Sequence, residues 1–215
     1  MRISAALLIF LVFLQSPAHA EGHSIGGKAG LLGLGIEYSY SISERIAFRG
    51  ALYGSGYSFD ATEGGIDYDF DLNWDSIAVG VDLHPLTGPF RLSLGLLAND
   101  NGLSATSTPN QPVLVGNTLY TPAEIGTLSG AVGFDGTTPF IGLGWDWSKS
   151  KRFGFSLDLG LVAQGSPDVS LVASGLLVND PNFAADLAAE EAELEDALDD
   201  LDVLPFASFG VTFRF

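Results

Sequence analysis

The chain contains no cysteine, which excludes a disulfide scaffold and any thiol chemistry. Basic residues are scarce. Nine Lys and Arg stand against 26 Asp and Glu, for a formal net charge of −17. A nucleic-acid binder needs a basic face, so that class falls away. Histidine is nearly absent, with only three in the chain. Two of them, His23 and His84, lie outside the N-terminal segment. His23 sits in a Gly-rich stretch and His84 beside a short turn. A lone His beside a turn is usually structural, and no His or Cys spacing suits a metal. No catalytic residue, no cofactor and no confident metal site is expected, and the chain does not read as an enzyme. After residue 20 no apolar run reaches the roughly 20 residues a membrane helix needs. A chain of this composition that crosses a membrane must cross as a closed barrel, because only helices and closed barrels satisfy every backbone group in lipid.

What is present begins with an export signal. Arg2 precedes the apolar run "AALLIFLVFL", and "SPAHA" offers small residues at Ala18 and Ala20. A charged start, a short apolar core and an A-x-A site define a secretory segment over residues 1–20. The barrel domain is then expected over residues 21–215.

From residue 31 onward the pattern is alternation. Leu32, Leu34, Ile36, Tyr38, Tyr40 and Ile42 oppose Gly33, Gly35, Glu37, Ser39 and Ser41. Ile66, Tyr68, Phe70, Leu72 and Trp74 oppose Asp67, Asp69, Asp71, Asn73 and Asp75. The phase then reverses, with Ile77, Val79, Val81 and Leu83 as the apolar set, which reads as a β-bulge near Asp75–Ser76. Similar alternation runs through residues 46–57, 90–96, 140–147, 153–161 and 203–215. Short connections at 43–44, 85–88 and 148–151 separate longer ones at about 60–65, 104–138 and 165–202. Strands of about ten residues with short turns at one end and long loops at the other are the signature of a membrane barrel. Aromatics support it. Tyr38, Tyr40, Phe48, Phe90, Trp145, Trp147, Phe153, Phe155, Phe213 and Phe215 lie near the short turns. Tyr57, Phe59, Tyr68, Phe70 and Trp74 lie near the other ends. Two girdles are expected at the two interfaces.

The chain ends "SFGVTFRF", with Phe209, Val211, Phe213 and Phe215 alternating to the last residue. Joined to the export signal and the strands, this resembles bacterial outer-membrane β-barrels, of the small OmpA or OmpW type. The opening "LGIEYSYSISERIAFR" is similar to that of a proteobacterial subgroup that brings no activity with it. The resemblance implies an all-β fold: a closed antiparallel transmembrane barrel in the outer membrane. It also implies that the terminal alternation is read by the barrel-assembly machinery, and that outer-membrane lipid and lipopolysaccharide surround the chain. Seven strands are readable. Even numbers are the rule, so eight are expected. Residues 21–30 are a weak candidate for the eighth.

The polar faces carry Glu37, Arg49, Asp82, Arg91, Asp146, Asp158 and Arg214. In a small barrel these point into a lumen just wide enough for side chains, where charges must pair. The reading is a plugged structural or surface-interaction barrel. The alternative is a narrow channel for small or apolar solutes, and a lipid-modifying enzyme comes a distant third. Asp67, Asp69, Asp71 and Asp75 invite a weak divalent-ion stripe, whose ions could bridge to lipopolysaccharide phosphates. The match to a calcium loop fails at Leu72 and Ala78. Residues 181–201 form the one helical stretch, capped by Asp180 with Pro181 in its first turn. Phe183, Leu187, Glu191, Leu194, Leu198 and Leu201 fall on one stripe. The rest is acidic, and a surface partner could dock there from an extracellular loop.

Overall fold

The computed structural model describes residues 22–63, 66–86, 88–148, 151–198 and 201–215. The expected export segment at 1–20 and the expected start at Glu21 lie outside the described residues. Among the described residues, no helix is long and apolar enough to cross a membrane.

The strands are β1 (His23–Gly30), β2 (Gly33–Ser41), β3 (Ile46–Glu63), β4 (Ile66–Leu83), β5 (Phe90–Ser107), β6 (Val113–Val115), β7 (Thr118–Tyr120), β8 (Leu128–Asp146), β9 (Phe153–Ala163), β10 (Asp168–Ala173) and β11 (Val203–Arg214). Among the described residues two helices, α1 (Pro122–Ile125) and α2 (Pro181–Leu198), stand in the loops. Strands β1 to β5, β8, β9 and β11 pair antiparallel, each with the next, and β11 returns to β1. The result is a closed eight-stranded barrel. The eighth strand is β1. Gly27 and Ala29, on its outer face, are too small to mark that face as apolar. Its ladders are nonetheless complete, with Ile25 between Phe213 and Tyr38.

The wall is stepped. Strands β3, β4 and β5 each hold 18 residues and β8 holds 19, whereas β1 holds 8 and β2 holds 9. A crossing needs about 9–11 residues. The long strands therefore cross and then rise as far again beyond the membrane, as a crown. Stretches expected as loops at 60–65 and 104–138 are largely strand, because polar residues on a strand above the membrane look like loop residues.

The expected bulge at Asp75–Ser76 is absent. β4 keeps one register with β3, from Leu52↔Ile77 through Tyr53↔Ser76 and Gly54↔Asp75, and the offset to β5 is likewise constant. The pleat does not slip; the medium changes. Odd-numbered residues of β4 point outward throughout. Ile77, Val79 and Leu83 are exposed to lipid, and Asp67, Asp69, Asp71 and Asp75 are exposed to water. The same exchange occurs on β5, from Leu92, Leu94 and Leu96 to Asp100.

This corrects the second girdle. Tyr57, Phe59, Tyr68, Phe70 and Trp74 share the inner face of the crown, opposite the lipid side. Phe59 and Phe70 stack there at 5.0 Å between centroids. The ring at the turn end is as expected. Phe90 meets Trp145, Phe153 meets Phe213, and Phe155 meets Phe209 on the outer surface. Val211 and Phe209 are about half exposed, so "SFGVTFRF" lays its apolar stripe on lipid while β1 and β9 flank it.

Candidate functional site

The inner faces bring six charges together at mid-barrel. Asp158 is the hub. Its Oδ1 accepts from Arg91 Nη2 at 2.6 Å and from Arg49 Nη1 at 3.2 Å, and its Oδ2 accepts from Lys28 Nζ at 2.6 Å. Arg49 also reaches Glu37 at 3.2 Å and Asp82 at 3.0 Å, and Arg91 reaches Asp82 at 3.0 Å. Lys28 lies 3.4 Å from Glu37 and donates to Ser156 at 2.9 Å. Ser93 donates to Asp82 at 2.7 Å and accepts from Arg49 at 2.8 Å. Three cations balance three carboxylates, all of them shielded from water. Such charges persist only when paired. Each is paired here, and Arg91 Nε is left with no partner among the described residues.

Five of the seven expected lumen charges join this network. Asp146 and Arg214 form a separate pair at the turn end, 3.6 Å apart, where Asp146 also accepts from the Ser148 backbone at 2.8 Å. Lys28 was not among the expected charges. The signal for it was its place in the run Ser24, Gly26, Lys28, Gly30, at every second position.

Above the network the lumen turns apolar. Leu97, Phe140 and Val162 are buried, and Ala78, Leu204 and Phe206 pack against them. Phe140 and Phe206 meet edge to face at 6.2 Å. Inward-facing glycines make the room. A Cβ at Gly95 would come within 2.5 Å of the Phe140 ring, one at Gly160 within 2.5 Å of Phe206, and one at Gly210 within 2.6 Å of the Lys28 stem. Small residues opposite large ones fill a narrow barrel. The cavity left between charge layer and apolar layer is about 20 Å³, lined by Arg49, Asp158, Leu97 and Phe140 among others. That is room for about one water molecule.

The remaining expected sites are in the crown and at the rim. Asp67, Asp69, Asp71 and Asp75 lie spaced along the outer face of β4. Asp67 accepts from Thr62 at 2.7 Å, and Asp71 accepts from Ser58. Among the described residues no group of His, Cys, Asp and Glu converges to hold a metal ion. His23 Nδ1 pairs with the Tyr38 hydroxyl at 2.6 Å and its ring stacks on Tyr40, so it belongs to the aromatic ring at the turn end. His84 is buried beside its turn.

Helix α2 is capped as expected, with Asp180 Oδ1 accepting from the Asn182 and Phe183 backbone at 2.8 and 3.2 Å. Phe183 is buried with Val115, Tyr120, Ile125 and Ala173, and Leu187 packs on this small core. Leu194 and Leu201 are exposed, so the stripe is covered only in its first half. The acidic side has a task that charge counting misses. β10 pairs with β8 on one side only. On the other side Glu191 accepts from the Leu171 backbone at 2.6 Å and Glu195 from Val169 at 3.3 Å. The helix thereby covers a strand edge that would otherwise be open to pairing with another chain. Asp186 takes the Tyr120 hydroxyl at 2.6 Å. That bond holds the Asp186 carboxyl below its ordinary range and pushes the Tyr120 phenol up.

Fold and lumen together define the class: a closed eight-stranded transmembrane β-barrel whose interior is filled by its own side chains. Neither a family model nor a curated protein matches the chain. Among solved structures it is similar to CarO2 of Acinetobacter baumannii, at 20% identity over 90% of this chain and 98% of that one, with a TM-score of 0.60. It is similar to CarO of the same organism at 19% identity over 90% and 97%, with a TM-score of 0.59. The likeness is one of fold.

Proposed function

We propose that the protein is an integral outer-membrane barrel with a sealed lumen, acting as a structural and surface-interaction protein through its acidic crown. The observation that carries the reading is the neutral six-charge network under an apolar layer, with space between them for about one water. Such a lumen serves as a core, not as a path. The outer-membrane location is supported by the exposed apolar belt, the aromatic ring at the turn end and the export signal read from the sequence. In this reading the terminal stripe from Phe209 to Phe215 is what the assembly machinery binds. Lipid and lipopolysaccharide surround the belt. The half-covered stripe of α2 is where a surface partner docks.

Single-channel recording of the refolded chain in a planar bilayer tests the reading, with a 181–201 deletion alongside. Neither protein is expected to give discrete conductance steps. Steps in the intact chain would establish the narrow-channel alternative. Steps only after the deletion would make α2 a lid.

A further inference from the structure

The barrel wall has a break. β9 pairs with β8 below Phe140↔Val162, and β10 pairs with β8 above Gly133↔Asp168. Between them, residues 134–139 of β8 have no strand pairing on that side among the described residues. The chain at 164–167 turns toward β11 instead, where Gln164 Nε2 donates to the Leu201 carbonyl at 2.9 Å and Gly165 N to Asp202 at 3.1 Å. Pro139 stands at the lower lip and has no N–H to leave unpaired. The outer face of β8 changes from apolar to polar at this place, with exposed Ile141 and Pro139 below and Thr137 above. The break therefore lies at the membrane surface on the crown side.

Two amides lie one strand away, across β8 from it. Asn99 and Asn101 occupy the inner face of β5, opposite Gly136 and Phe134 of β8, and each is 5% exposed. Asn99 Oδ1 accepts from the Asn101 backbone at 3.2 Å. Asn99 Nδ2 and both polar atoms of the Asn101 side chain have no partner among the described residues. Buried amides left unpaired cost stability, and native proteins keep few of them. Beside Asn99 there is space, since a Cβ at Gly136 would meet nothing within 4 Å. Apolar walls with a few convergent polar groups are the anatomy of a small-ligand site.

We propose that the break is a binding site for an uncharged single-chain membrane amphiphile. Its acyl chain lies in the lipid against Pro139 and Ile141, and its ester or hydroxyl oxygen is held by Asn99 and Asn101. The occupant follows from two features. The break is continuous with the lipid-facing belt, so a membrane molecule reaches it sideways. Exposed Asp100 and Asp75 flank this height on the outer face, and they repel an anionic head.

The test uses the refolded chain in phosphatidylcholine vesicles, with Trp145→Phe and Trp147→Phe leaving Trp74 as the reporter. Trp74 adjoins Asn73, which pairs with Gly102 next to Asn101. A monoacylglycerol brominated at the head end of its chain should quench Trp74 saturably. Asn99→Leu with Asn101→Leu should weaken this at least tenfold while the barrel still refolds, and the brominated free fatty acid should bind more weakly than the monoacylglycerol. Absence of saturable quenching, equal affinity in the leucine variant, or quenching by brominated benzyl alcohol alone would overturn the proposal. Should the leucine variant not refold, the side-chain amide resonances of Asn99 and Asn101 in the labelled native chain decide. They must shift on adding the monoacylglycerol, and unshifted resonances overturn it. Refolding is scored separately by heat-modifiable gel migration, so a failed site is distinguishable from a chain that does not insert.

Discussion

Replacing Asp158 with Asn keeps the shape of the hub and removes its charge. Lys28, Arg49 and Arg91 then face only Glu37 and Asp82, and three hydrogen bonds of 2.6, 3.2 and 2.6 Å lose their ionic acceptor. Removing one partner from a buried ionic group costs about 3–5 kcal/mol, because the charges left behind remain desolvated. At 1.4 kcal/mol per factor of ten, the folded-to-unfolded ratio falls roughly 10²- to 4 × 10³-fold. Urea titration of the vesicle-refolded chain would read this as a lower midpoint at unchanged slope. Adding Lys28→Met restores neutrality with two cations and two carboxylates. The double variant should therefore be more stable than the sum of the single effects by about 1–3 kcal/mol. A single change under about 1 kcal/mol, or strict additivity, would refute a coupled network as the lumen's organising feature.

Two further outcomes follow from the same geometry. Gly95→Val forces a side chain into the Phe140 ring and the Val79 carbonyl; overpacking of this kind should cost about 1–3 kcal/mol in the same titration, whereas a value near zero would mean the apolar layer is loose. Glu191→Ala with Glu195→Ala should speed amide exchange at Leu171 and Val169 while leaving the barrel's unfolding midpoint unchanged, and unaltered exchange would show that the helix does not protect the edge of β10.

Much of the barrel was legible along the chain because a strand writes its two faces at alternate positions. That sufficed for seven strands, for five members of the charge network, for the aromatic ring at the turn end, and for the Asp180 cap of α2. It failed where side chains are too small to label a face. With Gly27 and Ala29 outward, β1 looked like a tail, and Lys28 went with it. It also failed where polarity reports the medium rather than the backbone. The change at Asp75–Ile77 looks like a slipped register because the sequence records that the outer residues turn polar, not that lipid has given way to water.

The sequence by itself determined the class of fold, the direction each side chain takes within the lipid-facing belt, and the balance of charge in the lumen once Lys28 is counted. Only closure of the barrel decided which charges meet. Lys28 and Asp158 lie 130 positions apart, and they touch because β11 carries β1 to the neighbourhood of β9. The pairing of Gly95 with Phe140, the covering of β10 by Glu191, and the break along the edge of β8 are of the same kind. Each depends on which strands become neighbours and where they part. No local pattern encodes that, because it is settled by every strand satisfying its two edges at once.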